Sequence, residues 1–208
     1  MRSSRRMLVG VGVLAVVLAA CGSSKTATPA SSPGTTTGGS TTAVGGPNPN
    51  AKEVLPPGDI PDTQVYVSYT PTAGGYSLSY PQGWAKRETA SVTTFNQIFN
   101  TIEVATTKTV VAPTIASARS TLSAKLSSLP GFKLIKVDSV MRTAGPAIRI
   151  VYNATSAPDP VTGKKGTLDV ERYLLWHNGT LVTITLSGAH GSDNVDPWKK
   201  VTNSFAWK

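Results

Sequence analysis

The sequence predicts an α+β fold, in which an antiparallel β-sheet is packed by one crossing helix and a C-terminal helix. Short segments such as 76–80 and 168–176 alternate apolar and polar residues, which is the period of strands in a sheet. The apolar residues of 114–129 recur instead at the spacing of a helix, as do those near the C-terminus. Several strands combined with two helices give the α+β class.

The first 20 residues have the pattern of a bacterial export signal. Arg2, Arg5 and Arg6 form a basic start, and the apolar, uncharged stretch 7–20 follows. This stretch is shorter than the roughly 20 residues that a membrane-spanning helix needs. The adjacent pair Arg5 and Arg6 also resembles a twin-arginine signal, so the export route stays open.

Cys21 is the expected site of lipid attachment. The run Leu18-Ala19-Ala20-Cys21 closes the apolar stretch and resembles the lipobox of bacterial lipoproteins. The resemblance implies cleavage before Cys21, diacylglycerol on its sulfur and an acyl group on its new amine, and more than one acyl chain gives stable anchoring. The chain has one cysteine, so it can form no internal disulfide. We expect a protein anchored by lipid to the extracytoplasmic face of the cell membrane; an ordinary secretory signal is the alternative.

Residues 21–59 are expected to be the lipidated cysteine and a disordered tether. They are rich in Ser, Thr, Gly and Pro and contain almost no large apolar side chains, so they cannot offset the entropy lost on ordering. A flexible coil of this length has an end-to-end distance of roughly 30–37 Å. Aromatic and β-branched residues begin near Ile60, and we expect one domain over 60–208.

The first half of this domain is expected to contain strands on both sides of the crossing helix. Strands are predicted at 76–80, 92–95 and 102–107, with a turn at Pro81-Gln82-Gly83 before Trp84. The helix 114–129 follows and ends at Pro130-Gly131. Its apolar stripe contains Ile115, Ala118, Leu122, Leu126 and Leu129. Further strands are predicted at 132–139 and 147–152, before a polar loop at 158–166.

A hairpin and a closing helix are predicted for the second half. Two alternating segments, 168–176 and 182–186, flank Asn178-Gly179, a strong signal for a tight hairpin turn because both residues tolerate positive φ. Asp196 is the expected N-cap of the last helix, with Pro197 at its first position. Trp198, Val201 and Phe205 then share one face of that helix.

This order of elements, together with the turn Tyr80-Pro81-Gln82-Gly83-Trp84 and the closing Ser204-Phe205-Ala206-Trp207, resembles the PsbP-like fold. That fold occurs in the extrinsic PsbP protein of photosystem II and in lipoproteins of high-GC Gram-positive bacteria, including the LpqN/LpqT type. The resemblance covers 70–208 and implies an antiparallel sheet with packed helices and a mostly non-enzymatic role in binding envelope lipids or proteins. It transfers no functional residue.

The sequence offers little support for catalysis. Of the two histidines, His177 directly precedes the hairpin turn and is expected to be exposed there. His190 lies close to Ser187 and Ser192, but a hydrolase would also need an orienting carboxylate and a nucleophile turn such as Gly-x-Ser-x-Gly, which the sequence lacks.

Metal, phosphate and nucleic-acid sites are also weakly indicated. Asp193, Asn194 and Asp196 could offer oxygens to Ca²⁺, but they lack EF-hand spacing and suit the start of a helix better. The loop 163–166 contains two lysines without the remainder of a phosphate-binding motif. The formal charge of +9 is spread along the chain and no basic run contains interleaved aromatics, so no nucleic-acid partner is expected. No metal or cofactor is predicted.

The sequence therefore favours a non-catalytic envelope binding module for a lipid, glycolipid or protein partner. The alternatives are an envelope hydrolase or transferase that uses His190 and Ser192, and a scaffold without a ligand of its own. A deep apolar groove between helix 114–129 and the sheet would support ligand binding. A cluster of His, Ser and carboxylate within hydrogen-bond reach would support the enzyme. A filled core with an exposed apolar patch would support the scaffold.

Overall fold

The computed structural model describes residues 57–208, so the predicted signal 1–20, Cys21 and most of the predicted tether lie outside the described residues. The described part has the expected α+β fold, with antiparallel sheets and helices packed on them. No helix within 57–208 is both long and apolar enough to cross a membrane.

Ten strands and two helical regions follow one another along the described chain. The strands are β1 (Tyr66–Tyr69), β2 (Tyr76–Pro81), β3 (Ala85–Glu88), β4 (Val92–Gln97), β5 (Asn100–Lys108), β6 (Lys133–Arg142), β7 (Gly145–Thr155), β8 (Thr167–His177), β9 (Thr180–Ala189) and β10 (Ala206–Trp207). The helical elements are α1 (Ile115–Ser117), a π-helical turn (Ala118–Leu122), α2 (Ser123–Leu126) and α3 (Val195–Asn203).

Seven strands form the large sheet, in the order β3-β4-β5-β9-β8-β7-β6, and every pair is antiparallel. The small sheet has the order β1-β2-β10. At one edge of the large sheet, β6 has a bulge between Leu134 and Lys136. The sequence signals missed β1, β3 and β10, which are two to four residues long.

One face of the large sheet packs against the small sheet and α3. Its core includes Phe95, Ile184 and Leu186 from the large sheet, Leu78 from β2, and Phe205. All five side chains are at most 1% exposed. The apolar area that they remove from water contributes a large part of the free energy of folding.

The crossing helix covers part of the other face, but not along the whole predicted stripe. Ala118 and Leu126 are buried against the sheet, whereas Ile115 and Leu129 are each more than one-third exposed. The π-helical turn explains the difference, because it inserts an extra residue into the helical repeat and rotates the following residues away from the preceding stripe. Inside this turn the Ser123 hydroxyl donates to the Ala118 carbonyl oxygen at 2.9 Å.

The predicted hairpin is present as β8 and β9, joined by Asn178-Gly179 with φ angles of 45° and 74°. The two faces of β8 face different cores: Tyr173 and Leu175 pack towards the small sheet, while Val170 and Leu174 pack towards the crossing helix. Strand β8 is therefore a central strand with both faces covered.

The C-terminal helix packs as expected, but it begins earlier than predicted. Trp198 and Val201 of α3 are buried, and Phe205 is buried too, but it lies beyond the end of the helix at Asn203 and not on the helix face as predicted. The N-cap position belongs to Asn194 and not to Asp196, and Pro197 is the third helical residue instead of the first. Proline is tolerated at this position because none of the first amides of a helix has an acceptor within the helix.

The Asn194 side chain is free to bind elsewhere because it makes no capping hydrogen bond. It is 2% exposed, accepts a hydrogen bond from the Ile60 amide at 2.8 Å, and donates to Gly58 O at 2.9 Å and Asn100 Oδ1 at 3.1 Å. The Asn100 amide also donates to Gly58 O at 2.9 Å. Residues 57–59, placed at the end of the tether by sequence, are thus bound to the domain.

A half-buried ionic cluster joins β6, β7 and β8 on the face that carries α3. Arg149 donates to both carboxylate oxygens of Asp138, at 3.1 and 2.9 Å, and to Glu171 at 3.2 Å. The hydrogen bonds from Arg149 lower the pKa of Asp138, and the same pairing raises the pKa of Arg149. Asp138 is therefore held in its ionised form.

Candidate functional site

An open cleft of about 950 Å³ lies at one end of the large sheet. Strands β5 and β8 finish there at Lys108 and His177, and both of these residues pair with Thr180, the first residue of β9. The loop 71–75 between β1 and β2 and the turn 89–91 between β3 and β4 form further walls. We call this the cleft end of the sheet.

The floor of the cleft is apolar and the walls are rich in hydroxyl groups. Tyr76 and Val182 lie at the floor and are almost fully buried. Burial raises the pKa of the Tyr76 phenol, so it stays protonated. The serine and threonine residues among the lining side chains are Thr72, Thr89, Ser91, Thr93, Thr106 and Thr180.

Trp207 is the large aromatic side chain of the cleft wall. Its ring lies 5.0 Å from that of Phe205 in an edge-to-face arrangement and 5.5 Å from the His177 ring. Strand β10 fixes its backbone through pairing with Tyr76. The indole is half-buried, so part of its surface remains open to a ligand while packing holds its orientation.

The charged groups of the cleft are held by hydrogen bonds within its walls. The Thr72 amide donates to the Glu88 carboxylate at 2.8 Å, and this bond is the main cause of the lowered pKa of Glu88. Lys108 donates to the Thr180 hydroxyl at 2.9 Å, and Lys208 donates to the Thr70 hydroxyl at 2.9 Å. Glu88 is the sole acidic side chain among the described lining residues.

The cleft is not where the sequence suggested a groove. The space between helix 114–129 and the sheet, where a groove would have supported ligand binding, is filled by side chains of a packed core, including Ala118, Val137 and Ile150. The cleft instead combines residues from distant parts of the chain, and no local sequence pattern predicted it. His177 is exposed at the hairpin end, as predicted, and the structure adds that it belongs to the cleft wall.

The second candidate site, at His190 and Ser192, is only partly assembled. The His190 Nδ1 atom lies 2.8 Å from Asp169 Oδ1, and the Gly191 amide donates to Asp169 Oδ2 at 3.0 Å. This supplies the orienting carboxylate that sequence could not identify. The Ser192 hydroxyl, however, is directed at Pro57 O at 3.5 Å, and no hydrogen bond joins it to His190. A nucleophile and base in contact are therefore absent at this site.

The remaining candidates do not form sites. No group of three or more His, Cys, Asp or Glu side chains suited to a metal occurs within 57–208. Asn194 of the acidic segment is occupied by the hydrogen bonds described above, and the Asp193 amide is bound to Asp59. The loop 158–166 is closed by Asp159, whose carboxylate accepts from the Val161 and Thr162 amides.

No protein-family model matches the chain, and no curated protein matches it. Solved structures with a similar chain path include the cyanobacterial PsbP of Synechocystis sp. PCC 6803, at 18% identity and a TM-score of 0.49 over 73% of this chain and 98% of that one. LpqN of Mycobacterium tuberculosis, involved in cell envelope biogenesis, has 14% identity and a TM-score of 0.44, over 71% of this chain and 92% of that one. The Ran-binding protein Mog1p of Saccharomyces cerevisiae has 11% identity and a TM-score of 0.47, over 69% of this chain and 95% of that one. At this level of similarity no function follows for this chain.

Proposed function

We propose that the protein is a lipid-anchored module of the bacterial envelope. It binds a sugar-bearing ligand in the cleft described above and does not convert it chemically. The observation that carries the proposal is the lining of the cleft, in which a half-buried indole stands among hydroxyl groups above an apolar floor. The envelope location is supported by the signal pattern 1–20 and the lipobox at Cys21.

A sugar matches this lining better than an acyl chain does. A pyranose has an apolar C–H face, which can stack on an aromatic ring, and a rim of hydroxyls, which can exchange hydrogen bonds with threonine and serine side chains. Three of the six wall hydroxyls, those of Thr89, Thr93 and Thr180, already form hydrogen bonds within the protein. An acyl chain would exclude water from the other hydroxyls without offering them a partner, and burying such groups is unfavourable. The ligand class is therefore a glycolipid headgroup or a wall glycan.

Binding can be tested by comparing variants of two exposed histidines, His177 in the cleft and His190 outside it. The chain without its signal and its anchoring cysteine, residues 22–208, is titrated calorimetrically with envelope glycolipids and with the same glycans after removal of their lipid. We expect Trp207→Ala and His177→Ala to weaken binding about tenfold or more, since each loses contact with the ligand, and His190→Ala to leave it unchanged. If Trp207→Ala and His177→Ala bind the ligand as tightly as His190→Ala does, the assignment of the ligand to the cleft is contradicted. Comparing the two ligand sets distinguishes a glycolipid from a free glycan.

Anchoring is tested separately through Cys21. In the wild type, cell fractionation and mass spectrometry should find an acylated N-terminal Cys21 in the membrane fraction. Cys21→Ser should remove the acyl mass, because no other thiol exists in the chain. A wild-type protein without acyl mass at Cys21 would refute the anchoring part of the proposal.

The alternative function, an envelope hydrolase or transferase at His190 and Ser192, has one observation in its favour, the contact between His190 and Asp169. It requires the Ser192 hydroxyl to turn from Pro57 O towards His190. Turnover of an ester or glycoside substrate that disappears in both His190→Ala and Ser192→Ala would support this alternative over the binding module.

A further inference from the structure

The turn between β4 and β5 exposes two large apolar side chains side by side. Gln97 pairs with Asn100, so Ile98 and Phe99 are the two residues at the tip of the hairpin. Ile98 is 86% exposed and Phe99 is 49% exposed. The residues that flank them, Gln97 and Asn100, are polar and uncharged. We call Ile98 and Phe99 the apolar tip.

The backbone of the apolar tip is strained. Ile98 has φ of 47°, and a β-branched residue rarely occupies the left-handed region. The turn between β8 and β9 has the same length and uses Asn178 and Gly179, which tolerate such angles. The apolar tip thus combines an unfavourable backbone angle with unfavourable exposure, and strain of this kind is concentrated at functional sites.

The apolar tip lies beside the point where the N-terminal part of the chain reaches the domain. Asn100, the residue after Phe99, donates to Gly58 O, and Asn194 binds the same carbonyl. In the antiparallel sheet this is the end opposite the cleft end. Strand β5 separates the two ends by nine residues, or about 30 Å.

We propose that the apolar tip inserts into the surface of the lipid bilayer to which the chain is anchored. The inference rests on the anchoring part of the proposed function and not on its ligand. An anchored chain that enters the domain beside Gly58 brings this end towards the lipid. Insertion removes both side chains from water and orients the cleft away from the membrane, towards the wall.

A bilayer accounts for the shape of the apolar tip better than a protein partner does. The tip is a projecting turn with two apolar residues, which is far too small for a stable protein interface of about 1,200 Å² or more. A fluid interface needs no complementary pocket and accepts aromatic side chains at headgroup depth. The weak affinity of two residues is sufficient here, because attachment through the same chain supplies a high effective concentration.

Insertion can be measured on residues 22–208, without relying on Cys21. Residues 22–208 contain no cysteine, so Phe99→Cys accepts a single environment-sensitive fluorophore, and Met141→Cys, at a 72% exposed position at the cleft end, is the matched control. An N-terminal hexahistidine attaches each protein to phosphatidylcholine vesicles that contain a nickel-chelating lipid. We expect a several-fold rise in emission, and quenching by spin-labelled lipid, at position 99 and not at 141. Equal responses at the two positions would overturn the proposal.

A second measurement includes the wild-type protein, in which Ile98 and Phe99 are unchanged. The exchange of the hexahistidine-attached wild type between vesicles is compared with that of the double variant Ile98→Asn and Phe99→Ser, in which asparagine suits the positive φ and protects the fold. Val110→Ser with Val111→Ser, at exposed positions near the cleft end, is the control. We expect at least threefold faster transfer for the tip variant alone. A tip variant that transfers like the wild type would refute insertion.

Discussion

Replacing Asn194 by alanine should destabilise the domain strongly, although no helix cap is lost. The side chain serves three partners: the Ile60 amide, the Gly58 carbonyl oxygen and Asn100 Oδ1. Gly58 O keeps a donor in the variant, because Asn100 also binds it. The Ile60 amide and Asn100 Oδ1 are left without these partners.

The magnitude follows from those two groups. Each buried polar group without a partner lowers the free energy of unfolding by about 1–3 kcal/mol. Two such groups give about 2–6 kcal/mol, and since residues 57–59 lie at the surface and admit water, we expect about 2–4 kcal/mol. This is a large fraction of the roughly 5–15 kcal/mol by which domains are stable.

Urea titration of residues 22–208, followed by tryptophan fluorescence, measures the loss, and hydrogen exchange of the Ile60 amide reports it locally. Asn100→Ala is the matched control, since Asn100 is also buried and shares one of the hydrogen bonds. The Asn100→Ala variant leaves Asn194 bound to Gly58 and Ile60, so its free energy of unfolding should fall by about 1–2 kcal/mol. A loss for Asn194→Ala within about 0.5 kcal/mol, or one no larger than that of Asn100→Ala, would refute the reasoning.

Two further predictions concern packing and pH. Phe205→Ala removes a 1% exposed ring that stacks on Tyr76, and should lower the free energy of unfolding by about 3–5 kcal/mol in denaturant titration; a surface-like change below about 0.5 kcal/mol would contradict the packing. Asp138 has a lowered pKa in the folded protein, so its contribution is present above the unfolded pKa of about 3.9 and is lost as the pH falls through the folded value. Asp138→Asn should therefore be less stable than the wild type at pH 7, with the difference shrinking below about pH 4; a constant difference down to pH 2 would show that Arg149 does not favour the ionised carboxylate.

The elements that sequence predicted are those whose signals are local. Asn178-Gly179 determines a turn by its own backbone preferences, and the alternating residues on either side need no knowledge of the remaining chain. Strand β3 (Ala85–Glu88), in contrast, is an exposed polar segment without alternation, and its conformation depends on pairing with β4. Strand β10 has two residues and depends in the same way on β2.

The start of α3 was misplaced for a related reason. Asp196 and Pro197 have a strong local preference for helix starts, but Asn194 occupies the cap position while its side chain binds Gly58 and Ile60. Those partners are more than 130 residues away in sequence. The cleft was missed on the same grounds, because His177 and Trp207 meet there only after the sheets have assembled.

The edges of the large sheet have a consequence for crowding. Anchoring would confine many copies to one plane, where open strand edges of neighbouring domains meet far more often than in free solution. Strand β6 carries the exposed Lys133 and Lys136 and is interrupted by its bulge, and β3 at the other edge carries Lys86 and Arg87. Charged and bulged edges resist strand pairing between molecules. If the chain is anchored as proposed, these edges would oppose strand pairing between neighbouring copies at high surface density.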